Sequence, residues 1–238
     1  MIDSTNYQIQ FPPGRVAGCL PRLSRPGAIC PMAADRIKVI PRAEWSDLAS
    51  QLAVGKGLKP FVRDVLDQAS VGSCGMESSA GSVMVSRVFR GLDHILLNPL
   101  SGYHFTCHGV DRGSSIDENL EFIREHGLAP ESVWPRSKGW RAEPSEEAMA
   151  AALAFRIEEF YDISSIDEMV SALLQGYPVV YGANGHAVCK VRHLNEDQGE
   201  DLNSWGPEWG DGGFGVWASY RAINWQYGAW AVRVSSEA

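Results

Sequence analysis

Apolar positions along the chain follow two periods, and the change from one to the other divides it. From Ala43 to Ala53, Trp45, Leu48 and Leu52 recur at helical spacing and predict a short amphipathic helix, ended by Gly55 and Gly57. From Cys74, Met76, Ala80, Val83, Met84, Val88 and Leu92 keep the spacing of a longer helix buried on one side, with Gly91 near its end. The preceding DQASVG reads as a turn. The residues SSIDE occur at 114–118 and again at 164–168, each opening a helix. Ser115 with Glu118, and Ser165 with Glu168, have capping-box spacing, and Gly127 and Gly176 close the two helices. Shared capping chemistry explains the identity better than a duplication does.

After Gly176 the pattern turns to β. PVVYG (178–182), AVCKVRHL (187–194), GFGVWASY (213–220) and AWAVRVS (229–235) are short, rich in Val and aromatics, and separated by Gly, Asn or Asp. Helices first and strands second give an α+β layout with a cleft expected between two halves. Residues 1–43 fit neither period: Pro12, Pro13, Pro21, Pro26, Pro31 and Pro41 predict a segment running extended over a surface.

Composition removes several function classes. The 238 residues, 45% hydrophobic with 8 Trp, can fill a real core and exclude a long disordered chain. A net charge of −8 without a Lys/Arg cluster gives no footprint for a phosphate backbone, so nucleic acid is not an expected partner. No apolar run approaches the ~20 residues that span a bilayer. The start MIDSTNYQIQ has neither a basic nor an apolar signal region, which makes a cytoplasmic location the default. The 5 cysteines, at 19, 30, 74, 107 and 189, are an odd number, so one thiol at least has no partner in the chain. A Cys19–Cys30 bridge is possible, and the states of Cys107 and Cys189 are open.

That odd thiol directs attention to Cys74, in the first turn of a long helix, where backbone amides favour a thiolate and predict a more acidic, more nucleophilic group. A thiolate hydrolase also needs a base that returns a proton to the leaving group, and an acceptor that orients the base. Of the 6 histidines, His94, His104, His108 and His126 read as surface or packing residues and His193 as exposed. His186, in GANGHAV, stands between small residues and a strand, where an imidazole can face a cleft. Asn203, beside Trp205, can accept from that ring while the indole excludes water; Gln68 can join the Cys74 amide as an oxyanion donor.

Gln68-x5-Cys74 in QASVGSC, His186 in GHAV and Asn203 in NSWGPEWGDGGFG together resemble the papain-like cysteine peptidases, from about residue 56 to the end. The resemblance implies a two-lobed fold, a helical lobe (about 56–140) carrying the nucleophile helix and an antiparallel β-barrel-like lobe (about 150–238), with the active-site cleft between them. It implies a Cys-His-Asn triad acting through an acyl-thioenzyme: Cys74 the nucleophile, His186 the acid/base, Asn203 the orienter, Gln68 the oxyanion donor and Trp205 the shield. It implies a peptide or protein substrate and no cofactor. An isopeptidase, an amidase or a cell-wall peptide hydrolase would share these residues; a non-catalytic peptide-binding or scaffold protein on the same fold is the rival of another class.

Departures from the family pattern carry expectations of their own. Val71 replaces a cysteine that members commonly bridge, which fits a reducing compartment or a bacterial or viral branch; Gly75 replaces a bulky aromatic. The short PVVYGANGH join predicts a more open groove wall beside His186. Residues 1–55 are short for the family's inhibitory prosegment, and three roles stay open: permanent packing on the lobes, a plug across the cleft, or assembly.

Other signals are discounted. G210-D-G-G-F-G215 matches a dinucleotide-binding pattern in letters, but strand character follows it where a helix is required. His104, Cys107 and His108 lack a second ligand pair at metal spacing. The acidic run 196–201 reads as a solvated hairpin loop, with attraction of basic substrates as the sharper alternative.

Overall fold

A computed structural model describes residues 11–235. Six helices, α1 (Trp45–Gln51), α2 (Cys74–Phe89), α3 (Leu100–Thr106), α4 (Ile116–His126), α5 (Glu146–Ala152) and α6 (Ile166–Leu174), accompany eight strands among the described residues. The strands β1 (Cys19–Leu20) and β2 (Ser114–Ser115) form a parallel pair. The others, β3 (Glu159–Asp162), β4 (Val179–Ala183), β5 (His186–Asn195), β6 (Gln198–Leu202), β7 (Phe214–Gly215) and β8 (Ala229–Arg233), form one antiparallel sheet in the order β3-β8-β4-β5-β6-β7. The expected α+β class holds, but the sheet is open and does not close into a barrel.

Alternation along the strands explains the layers. In β8, Trp230 and Val232 join the core shared with α2, whereas Ala229 and Ala231 face the core shared with α6. The helix α2 is buried from Cys74 through Arg87, more completely than a one-sided pattern predicts, because it is clasped between β5 and α4. Its Ser, Gly and Ala positions allow that approach: a Cβ on Gly81 would lie 3.5 Å from Leu202.

Several local expectations change. Ser165 accepts from the Glu168 amide as a cap should, but Ser115 makes no side-chain cap. Ser115 lies in β2, paired with the leader strand β1, and the neighbouring Asp117 carboxylate accepts from Leu23 N, Ser24 N and Ser24 Oγ instead. The run 213–220 is a strand only over Phe214–Gly215, and the acidic run is a solvated hairpin turn only at Glu196 and Asp197, since Gln198–Leu202 is β6. Asp201 is wholly buried, 2.8 Å from Lys190 Nζ on β5, and its second oxygen accepts from Tyr181 OH and the Trp217 amide. His193, expected exposed, is buried against Tyr220 OH at 2.9 Å and the Trp45 ring. All five cysteines are free, so Cys19 and Cys30 are not bridged.

Candidate active site

The turn Gly72-Ser73 delivers Cys74 to the start of α2, at the centre of the molecule. A Cβ at position 75 would come within 2.7 Å of Asn119 Nδ2, which explains glycine where the resemblance expects an aromatic. The backbone N–H groups of Ala187, Gly18 and Gly75 are turned to the Cys74 sulfur and favour its thiolate. Burial outweighs them, pushing the thiol from its ordinary 9.0 up to about 11. The expectation of an acidic thiol from helix position alone is therefore corrected: the group is wholly covered.

The covering over Cys74 also reaches His186, through the residue next to it. Ala187 follows His186 at the start of β5, after a two-residue hairpin turn in which Asn184 (φ 54) and Gly185 (φ 74) are both left-handed, the geometry that tight hairpins require. His186 Nε2 donates to Asn203 Oδ1 at 2.7 Å, and the same oxygen accepts from the Ser204 amide at 2.8 Å. The other ring nitrogen, Nδ1, has no hydrogen-bond partner among the described residues. Trp205 lies 4.7 Å from the imidazole and Trp217 stands edge-on at the same distance. Desolvation lowers the His186 pKa from 6.5 to about 4.

Gln68 is fixed on the other side of the turn. Its amide N–H donates to Ser204 O, and its side-chain oxygen accepts from Ser204 Oγ at 2.9 Å. Its Nε2 donates to Val71 O at 2.8 Å and, at 3.4 Å, to Val16 O of the leader. The fold thus brings Cys74, His186, Asn203, Gln68 and Trp205 to one place.

The leader, residues 11–20, contributes to the burial. Phe11 packs on His186, Trp205 and Trp217; Arg15 pairs with Asp67 and donates to Trp205 O; Gly18 N and Cys19 N donate to Gly185 O; and Ser114 N donates to Gly18 O. Residues 11–20 thus pack beside both His186 and the Cys74 sulfur, contacts that permanent packing and a plug across the cleft would share. Glycine is required here, since a Cβ on Gly18 would collide with the Gly72 carbonyl, and one on Gly113 (φ +98) with Gly18 itself. The groove wall is not open: the hairpin is short, yet Trp205, Trp217 and Phe11 leave His186 wholly buried. Sequence reasoning missed Phe11 and Trp217. Trp217 sits in a run read only as a strand, and nothing in the local pattern marks it as a neighbour of His186.

Elsewhere, the glycines at 210–215 make a tight turn into β7 rather than into a helix. Among the described residues no group of three His, Cys, Asp or Glu is arranged to hold a metal, and no helix is long and apolar enough to cross a membrane.

This arrangement, a nucleophile-bearing central helix facing an antiparallel sheet, is the papain-like cysteine protease fold. Xylellain, a cysteine protease from Xylella fastidiosa, superposes with a TM-score of 0.71 at 20% identity, covering 93% of this chain and 96% of that one. Digestive procathepsin L 3 of Tenebrio molitor gives 0.60 at 18% identity over 73% of this chain and 67% of its own. The proform of the ragweed pollen allergen Amb a 11 gives 0.61 at 18% over 74% and 64%. In sequence the chain is 25% identical over 189 residues to cathepsin B-like CP3 of Giardia intestinalis, spanning 64% of this chain and 63% of that relative's length. No family model matches the chain.

Proposed function

We propose that this chain is a cysteine-type peptidase that hydrolyses peptide bonds through a Cys74-His186-Asn203 triad and is closed by its own leader. The observation that carries the reading is the 2.7 Å His186–Asn203 bond beneath Trp205, with the amide next to His186 turned to the Cys74 sulfur. The resemblance to cathepsin-like and other cysteine proteases supports the same chemistry.

In the reaction, the Cys74 sulfur attacks the substrate carbonyl carbon and the carbonyl electron pair moves onto oxygen. The Cys74 amide and the Gln68 Nε2–H that now points to Val16 O receive that charge. His186 Nδ1, holding the thiol proton, gives it to the leaving amine as the C–N bond breaks. Water then attacks the thioester with His186 as base, and the Cys74 thiol is restored. Asn203 Oδ1 keeps Nε2 protonated and leaves the unpartnered Nδ1 to take up the thiol proton, the role a neutral acceptor suffices for when the charged partner is the thiolate.

Residues 11–20 stand where substrate would, in a form that resists the chemistry. The group turned to the sulfur is the Gly18 N–H, which is no electrophile, and the Gln68 donor is directed to the Val16 carbonyl, two residues away. The leader therefore acts as an inhibitory plug. A thiol-directed epoxide probe tests the assignment with mass mapping of a Gly18→Ala chain, in which the leader is displaced, alone and combined with Cys74→Ala or His186→Ala. Labelling confined to Cys74 and lost in His186→Ala is expected; labelling at another cysteine that persists in Cys74→Ala sinks it.

A further inference from the structure

Glu77 stands on α2, one turn after Cys74, and its side chain is wholly buried, an expensive place for a carboxylate. One of its oxygens is well served. Ser73 Oγ donates to Oε1 at 3.0 Å, and Arg136 forms an ion pair with the same oxygen. Oε2 has no hydrogen-bond partner among the described residues. The charge does not serve the nucleophile either, because it works against the Cys74 thiolate. Asn203 has the complementary need. Its Oδ1 accepts from His186 Nε2 and the Ser204 amide, whereas its Nδ2, a donor, is buried without a partner among the described residues. Each group costs free energy when it is left bare.

Glu77 and Asn203 line one small cavity, which Ser78 and Ser204 also border. Its volume of about 10 Å³ is the room one water needs, and water occupies such a space when about two to four polar partners surround it. The Asn203 donor and the Glu77 acceptor are two. The hydroxyls of Ser78 and Ser204 give their protons to Cys74 O and Gln68 Oε1, so their lone pairs are left to accept a third bond. We propose that one water in this cavity accepts from Asn203 Nδ2 and donates to Glu77 Oε2, which makes Glu77 a positioning residue that holds Asn203 in line with His186. Turned about, the amide would set Nδ2 against the Ser204 N–H, donor against donor. Both ends of the amide are therefore held: Oδ1 by Ser204 and the imidazole, Nδ2 through the water by a carboxylate that Arg136 anchors. The catalytic half of the proposal rests on the peptidase reading; the water and the hold on Asn203 do not.

Three measurements on the full chain test it. In a crystal structure of the wild type, an ordered water within hydrogen-bond distance of both Asn203 Nδ2 and Glu77 Oε2 is expected; a cavity without one overturns the bridge. This arm decides even where a variant fails to fold. The second arm follows solvent exchange of the His186 ring N–H by NMR, with nitrogen-labelled histidine and the signal identified by its loss in His186→Ala. Glu77→Gln and Glu77→Leu both remove the charge and its pair with Arg136, but only glutamine keeps an oxygen for the water. Exchange roughly tenfold faster in Glu77→Leu than in Glu77→Gln is expected, the worth of about one buried hydrogen bond. Equal exchange in the two overturns the positioning and leaves Glu77 as a partner of Arg136 alone. In the third arm, on a Gly18→Ala background, Glu77→Leu should lower kcat for peptide hydrolysis roughly tenfold below Glu77→Gln, with KM within about twofold. No loss, or a loss confined to KM, overturns the catalytic half. A Gly18→Ala chain that cleaves no peptide overturns the peptidase reading, while the water and the exchange rates still uphold or overturn the hold on Asn203.

Discussion

Replacing Gly18 by alanine perturbs the closed cleft at its tightest point. The added methyl is aimed at the backbone carbonyl of Gly72 at less than contact distance, and backbone on both sides cannot yield. Residues 17–20 must then leave their seat. That seat includes Gly18 N and Cys19 N on Gly185 O, at 3.1 and 2.9 Å, and Ser114 N on Gly18 O at 3.0 Å. At about 1 kcal/mol each, losing the three weakens closure by about 3 kcal/mol, on the order of a hundredfold in the open population. Opening also rehydrates the thiol. Relaxation of Cys74 from about 11 toward its ordinary 9.0 multiplies the thiolate fraction at neutral pH by about a hundred. The assay is the rate of Cys74 alkylation as a function of pH, read by mass mapping so that the four other buried cysteines do not contribute. The variant is expected to react at least about a hundredfold faster than wild type, with an inflection at lower pH. A variant that keeps both the wild-type rate and its inflection near 11 refutes the placement of the leader and the cause assigned to the raised thiol.

Three further outcomes follow from the same contacts. His186 is lowered from 6.5 to about 4 by burial, so the open form binds more protons between those values. Closure should therefore weaken as pH falls from 6.5 to about 4, by about 3 kcal/mol in all, and change no further below; amide exchange at Gly18 and Cys19, corrected for intrinsic rate, that is equal at neutral and acid pH contradicts this. Lys190→Met leaves Asp201 buried without its cation and should cost about 3–5 kcal/mol in urea unfolding, whereas Lys190→Met with Asp201→Asn, which keeps an acceptor for Tyr181 OH and the Trp217 amide, should recover most of it; equal losses in single and double variants contradict a coupled pair. In a Gly18→Ala background, His186→Ala should lower kcat for peptide hydrolysis by roughly 10²–10⁴-fold, and a smaller loss removes His186 from the acid/base role.

What the sequence made legible was chemistry tied to local pattern. Cys74 opens a helix because its turn and the apolar spacing after it say so, and His186 and Asn203 are legible because small residues and a Trp flank them. Contacts between distant segments were not legible. Asp201 sits in a run of charges that reads as solvated, and only the β5–β6 register, which sets Lys190 opposite it, reveals a buried pair. Gly75 looked like a departure without a cause until Asn119 of α4 was found in the space a side chain would fill. Phe11 and Trp217 share no local signal, being separated by nearly the whole chain.

The acidity of the thiol was misjudged for a related reason, and the error is informative. The amides at a helix start still favour a thiolate here, but burial costs the charged form more, and thiol and imidazole are buried together. Desolvation acts in opposite directions on the two groups, raising the acid and lowering the base, so both adopt their neutral forms over a broad range around neutral pH. On the proposed peptidase reading, the segment that closes the cleft thereby also discharges the pair that would attack. Either effect alone would leave a leak: an ionised pair beneath a loose plug still meets small substrates, and a neutral pair in an open groove regains water at once. Because one segment produces both, its departure restores access and charge in a single step, and variants that loosen it should raise the rate and shift the pH profile together rather than one without the other.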